Sequence, residues 1–199
     1  ASDCERFTPI GGDFCRMNLA ACRDIPIYAA ARIFAASSEE ASGTDEGMHE
    51  RLDIIRGLCE NGMFGFDCAT FDEYIDGYIK SGGGAVSHSD IYRNAYAPHY
   101  RVISNAYAQL YDTVSTICAL TDSRDRVVIA IDGRAASGKT TIASRLSKLF
   151  DAPVIHADDF FLPFEMRTPE RLSKAGGNIH SERLKAEVID RLRGEPFSY

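Results

Sequence analysis

The stretch Arg126-Val-Val-Ile-Ala-Ile-Asp-Gly133-Arg-Ala-Ala-Ser-Gly138-Lys139-Thr140-Thr141 decides how the chain reads. Its opening is a continuous β-branched apolar run, the pattern of a strand buried on both faces. A loop follows that matches GxxxxGK[ST] at every fixed position. From Lys139 to Phe150 the apolar residues Ile142, Leu146 and Leu149 recur at helical spacing. Strand, glycine loop and helix in that order make a phosphate cradle. Gly133 and Gly138 allow backbone geometries that a Cβ would block. Successive N–H groups then converge on phosphate oxygens, and the helix N-terminus adds partial positive charge. Lys139 reaches the β- and γ-phosphates and Thr140 offers a hydroxyl to Mg²⁺. The cradle is therefore assigned to Gly133, Arg134, Ala135, Ala136, Ser137, Gly138, Lys139, Thr140 and Thr141, with ATP and Mg²⁺ as cofactors. ATP is favoured over GTP because no NKxD-type segment is present.

Downstream, Pro153-Val-Ile-His156 reads as a second strand, followed by Ala157-Asp158-Asp159-Phe160-Phe161-Leu162-Pro163. Carboxylates at the C-terminal end of a parallel strand face the crevice where ligands bind. Asp158 can there take a proton from an acceptor hydroxyl or hold Mg²⁺ through water, which makes Asp158 and Lys139 the catalytic pair and Thr140 and Asp158 the metal pair. Phe160 and Phe161 are expected to wall an apolar acceptor pocket. The plainer alternative for Asp158-Asp159 is a turn or helix cap. Ser181 to Arg193 is amphipathic through Leu184, Val188, Ile189 and Leu192 and is closed by Gly194 and Pro196. Alternating strands and helices predict an α/β fold with a parallel sheet.

Upstream, the pattern changes. Ile25 to Ala36, Met48 to Cys59, Phe71 to Lys80, a segment after Ser87-x-x-Asp90, and Tyr100 to Leu120 all read as helices. Thr70-x-x-Glu73 and Ser87-x-x-Asp90 read as capping boxes, and Gly82-Gly83-Gly84 as a stop. Ser37 to Gly47 reads as an exposed acidic loop. Tyr92, Tyr96 and Tyr100 fall at i, i+4 and i+8, a pattern that serves helix packing before it serves ligand stacking. His88 and His99 lack metal-ligand spacing. The expected organisation is a mainly helical unit over 1–120, a polar linker over 121–126, and the α/β unit from 127 to 199.

The chain has 199 residues, 45% of them apolar and 26% charged, ordinary usage for a globular protein. No run of 18 apolar residues is present, so no membrane-spanning helix is expected. Net charge is −7. Residues 1–120 carry nine Lys and Arg against 17 Asp and Glu, for −8, and residues 121–199 carry 13 against 12, for +1. An acidic first part argues against nucleic acid or an anionic membrane as partner. The six cysteines lack tight CxxC spacing and read as free thiols in a reducing cytoplasm.

The segments IAIDGRAASGKTT (129–141), HADDFFLP (156–163) and GGNIHSERLKAEVIDRLRGEPFSY (176–199) resemble the uridine kinase family of P-loop kinases, relatives of phosphoribulokinase and bacterial pantothenate kinase. The resemblance implies the P-loop NTPase fold, and it implies that Asp158 is the base acting on the acceptor hydroxyl. The family's nucleoside-contacting NFDHPDAFD-like segment corresponds here to Asn178-Ile-His180-Ser181-Glu182-Arg183, with His180 where an Asp is usual. Asp159, Phe160, Arg167, His180 and Arg183 are the implied substrate residues. Arg167 and Arg171 read first as solvated loop arginines and second as holders of a phosphate. Such kinases have a five-stranded parallel core and a lid, so the chain is expected to carry an incomplete sheet and to be a fragment. The first 120 residues have no counterpart in plain uridine kinases.

The activity expected is ATP-dependent phosphoryl transfer to a hydroxyl of a small molecule, with a nucleoside favoured, in the cytoplasm. A homo-oligomer is left open. The alternatives are a P-loop ATPase whose nucleotide state regulates the helical unit, and a non-catalytic binding module.

Overall fold

The computed structural model describes residues 5–84, 86–192 and 194. The chain divides into two compact units, 1–130 and 131–199. Among the described residues, no helix is long and apolar enough to cross a membrane.

The first unit is built on a three-stranded antiparallel sheet in the order β1-β2-β3: β1 is Phe7–Pro9, β2 Phe14–Asn18 and β3 Tyr100–Ser104. Cys15 pairs with Ile103 and Arg16 with Val102. The two-residue period decides which face is buried. Cys15, Met17 and Ile103 are buried, while Arg16 and Val102 face out. On that outer face the Arg16 guanidinium lies 4.7 Å from the centre of the Tyr100 ring.

Two helices complete this core. In α1 (Ile27–Glu39), Ala29, Ile33 and Ala36 form the buried stripe. In α6 (Tyr111–Ser123), the buried stripe is Tyr111, Val114, Ile117 and Cys118. The Phe7 ring meets Tyr111 edge-on at 5.3 Å. Between β2 and β3 the chain also forms α2 (Asp45–Glu60), α3 (Cys68–Lys80) and α4 (Asp90–Tyr96), and α5 (Asn105–Ala108) follows β3. Thr44 caps α2 by accepting from the Gly47 N–H at 3.0 Å, and Asp67 caps α3 by accepting from the Thr70 N–H at 2.8 Å. Arg56 of α2 grips both carboxylate oxygens of Asp72 of α3, at 2.9 and 3.0 Å.

Several expectations do not hold. The parallel-sheet P-loop NTPase fold is not formed: among the described residues the sheet is the small antiparallel one, and neither 127–131 nor 153–156 is a strand. A strand needs neighbours for its N–H and C=O groups. The run at 127–131 has none among the described residues, and Val128 and Ile129 stand 64% and 44% exposed. The helix expected from Tyr100 to Leu120 begins instead as β3. The first unit, expected to be mainly helical, carries the three short strands among six helices in its described residues. Ser104 breaks the two, its hydroxyl accepting from the Ala106 N–H at 3.2 Å. Caps also move: Asp67 replaces Thr70, and Ser89 replaces Ser87 by accepting from the Tyr92 N–H at 3.2 Å. Residues 37–39 belong to α1 rather than to a loop. Of the tyrosine stripe, Tyr92 and Tyr96 pack ring to ring at 4.8 Å on α4, while Tyr100 belongs to β3.

The second unit holds α7 (Lys139–Phe150), two short 3₁₀ turns at Ala157–Phe160 and Phe164–Met166, α8 (Pro169–Leu172) and α9 (Ser181–Leu184). The amphipathic helix expected over 181–193 widens after α9 into a π turn, Lys185–Ile189. The wider turn brings Lys185 against Asp190, with Nζ–Oδ1 at 2.6 Å. Leu146, Leu149, Phe160, Leu162 and Val188 are the buried apolar side chains of this unit. Cys4, Arg193, Pro196 and the extended segment expected toward Tyr199 lie outside the described residues.

Candidate functional site

The glycine–lysine loop forms as a turn leading into α7. Ala136 (φ +61°) and Gly138 (φ +84°) are both left-handed, so the backbone reverses around Ser137. The Ser137 N–H donates to the Arg134 carbonyl at 3.2 Å. Gly133 is tight for another reason: a Cβ there would lie 2.8 Å from the Ser137 hydroxyl oxygen. Its N–H donates to Asp132 Oδ1 at 2.7 Å, a local anchor the motif did not announce. The Lys139 ammonium folds back over the loop, donating to the carbonyls of Gly133 and Arg134 at 2.8 Å each.

Gly138 is the N-cap of α7 and supplies no side-chain cap. The first-turn N–H groups of an uncapped helix have no partner within it. Residues 133–138, Thr140 and Thr141 are exposed. At its far end α7 is closed by Asp151 at φ +51°, whose N–H returns to the Ser147 carbonyl. An exposed loop with a lysine and an uncapped helix start has the chemistry of a phosphate site.

The second segment is placed differently from expectation. Asp158 and Asp159 lie in the first turn of a 3₁₀ helix, not at the end of a parallel strand, and both are exposed. Among the described residues, no hydrogen bond or ion pair joins Asp158 to Lys139 or Thr140, and no group of three or more His, Cys, Asp or Glu is arranged to hold a metal. Phe160 is fully buried and so cannot wall an open pocket, whereas Phe161 is 46% exposed.

The remaining expected substrate residues are occupied within the unit. The Arg183 guanidinium lies 4.8 Å over the Phe160 ring, holds Glu187 at 2.9 and 3.0 Å, and donates to the Asp159 carbonyl at 3.0 Å. Arg167 Nε donates to the Leu162 carbonyl at 2.8 Å. His180 caps α9, its Nδ1 accepting from the Arg183 N–H at 3.2 Å. The same nitrogen lies 3.3 Å from a Glu182 carboxylate oxygen. Arg171 forks onto Glu182 at 2.9 and 2.6 Å. This pairing draws the Glu182 carboxyl down to about 2. Beneath it, Gly177 lies so close to the Arg171 backbone that an added Cβ would fall 1.9 Å from the carbonyl oxygen. Residues 160–187 thus form a self-bonded brace.

A polar cluster in the first unit has no counterpart in the sequence motifs. The buried Tyr111 hydroxyl donates to Asp24, and the Ser115 hydroxyl reaches Asp24 Oδ2 at 3.1 Å. Arg6 stands 3.9 Å from Asp24 and 3.1 Å from Asp112. Burial pushes the Asp24 carboxyl up, but Tyr111, the local backbone, Ser115 and Arg6 together bring it below the usual carboxylate range. Burial, then Asp24, push the Tyr111 hydroxyl up. The partners lie 87 positions apart, so no local pattern could have joined them.

Compared with known proteins, the chain matches no family model, no curated protein and no solved structure.

Proposed function

We propose that the chain binds the phosphates of ATP on residues 133–141 and passes the γ-phosphoryl group to a hydroxyl of a small molecule, a nucleoside by preference. The observation that carries this reading is the Lys139 ammonium held by the Gly133 and Arg134 carbonyls at the uncapped start of α7. Entering phosphate oxygens would exchange for those two carbonyls, and the first-turn N–H groups would take the remaining charge. Thr140 follows Lys139 and is the residue to hold Mg²⁺. Asp158 is the base that orients and deprotonates the acceptor hydroxyl, in a transfer that depends mainly on positioning and charge. The proposal rests on the loop and requires no parallel sheet. A cytoplasmic setting goes with it.

A second reading, ATP hydrolysis without an acceptor, is favoured by two observations. Asp158 shares no bond with Lys139 or Thr140 among the described residues, and Phe160 is buried. Calorimetric titration of the folded chain with Mg-ATP tests what the two share. Binding is expected to weaken roughly tenfold or more in Lys139→Ala, the scale set by removing one charge-assisted hydrogen bond. No Mg-ATP binding at all would remove both and leave a binding module. ADP release across a panel of nucleosides, pantothenate and sugar phosphates then separates them: release that needs an acceptor and disappears in Asp158→Asn is the kinase, and release indifferent to both is the ATPase.

A further inference from the structure

The helical pair α2–α3 holds two cysteines that their sequence spacing did not connect. Cys59 is the penultimate residue of α2 and Cys68 the first residue of α3. The turn between them folds back tightly: Gly62 takes φ +70°, and the Met63 N–H donates to the Leu58 carbonyl at 3.1 Å. That return places the Cys59 thiol against the segment that enters α3. It donates to the Phe66 carbonyl at 3.4 Å, two residues before Cys68. The double Arg56–Asp72 bond holds the two helices in this register, one turn away from each cysteine. The exposures differ: Cys59 is 5% exposed, while Cys68 is only partly covered.

We propose that Cys59 and Cys68 form an oxidative modification site, at which a peroxide converts the two thiols into a disulfide joining the end of α2 to the start of α3. Cys68 reacts first, because it is the thiol a solvent-borne oxidant reaches. Its sulfur attacks the peroxide, forming an S–O bond as the O–O bond breaks and water leaves. Cys59, held at the Phe66 carbonyl two residues before Cys68 in sequence, then attacks the Cys68 sulfur, so that the S–S bond forms, the S–O bond breaks and a second water leaves. Two thiols lose two electrons and two protons, and one hydrogen peroxide becomes two waters. Burial, then the neighbouring Cys68, Asp67 and Asp72, push the Cys59 thiol up. This suits the second, resolving role, in which Cys59 is shielded from direct oxidation. The other described cysteines, Cys15, Cys22 and Cys118, are buried, so the first hit falls on Cys68.

Both cysteines lie in one tryptic peptide, 57–80, which has no internal Lys or Arg. The folded chain is treated with hydrogen peroxide, quenched, denatured, alkylated and digested. Peptide 57–80 is expected to lose both alkylatable thiols, to be lighter by two hydrogens, and to regain both thiols after dithiothreitol. Cys68→Ser should leave Cys59 alkylatable. The proposal is overturned if Cys68 advances to sulfinic acid while Cys59 stays alkylatable. It is also overturned if the disulfide forms as fast in urea-unfolded chain, since the fold would then contribute nothing. The outcome is independent of nucleotide binding.

Discussion

Two segments of the chain exchange the roles their sequences suggest. The run at 127–131 is the most strand-like in the protein, yet it forms no strand and leaves Val128 64% exposed. Phe14–Asn18, with an arginine at its centre, is a strand with Cys15 and Met17 buried. The difference lies in partners. Phe14–Asn18 has a neighbour on each side, and its alternating pattern asks only that one face be covered, which α1 and α6 can do. A continuous apolar run asks for both faces and for two neighbouring strands, and nothing among the described residues supplies them. Apolar content proposes a strand; pairing makes one.

That contrast can be broken most severely at the core of the first unit. Ile33→Ala removes a fully buried side chain from α1 and is expected to cost about 2–5 kcal/mol, read as a fall in the urea midpoint of unfolding. Tyr111→Phe is smaller. It removes a donor from Asp24, which keeps Ser115 and solvent, and should cost about 1 kcal/mol in the same measurement.

In the second unit a pH-dependent effect is expected. Because Arg171 lowers Glu182 from 4.5 to about 2 in the folded chain, the pairing stabilises fully above pH 4.5 and its contribution disappears as pH falls through about 2. The stability difference between wild type and Glu182→Gln should shrink over that window; a difference that ignores pH would refute the pairing. The smallest effect belongs to the failed strand. Val128→Asp should change stability by less than about 0.5 kcal/mol, because the side chain is already in solvent. A loss of several kcal/mol would mean that the run is buried after all.

What the sequence showed was local. The span of α7, Lys139 to Phe150, was legible because Ile142, Leu146 and Leu149 repeat at helical spacing. The loop was legible because glycine and lysine spacing is a backbone requirement. β3 was not: Tyr100-Arg-Val-Ile-Ser is short, and its partner Phe14–Asn18 is far away in sequence. Asp158 was misplaced for the same reason, since its position was inferred from a sheet that needed distant strands. The bracing by Arg171–Glu182 and Arg183–Glu187 turned supposed substrate residues into internal partners, and composition cannot distinguish a guanidinium that awaits a ligand from one already paired.

The long separation between β2 and β3 also governs how the first unit is born. Asn18 pairs with Tyr100, and every helix from α1 to α4 emerges between them. Closing so large a loop before any ladder bond forms is slow, and on the ribosome the first two strands must wait for β3 and then α6 to leave the tunnel. Until then Cys15, Met17 and the apolar stripe of α1 have no cover. A stop anywhere before β3 leaves β2 without the neighbour that pairs along its second edge.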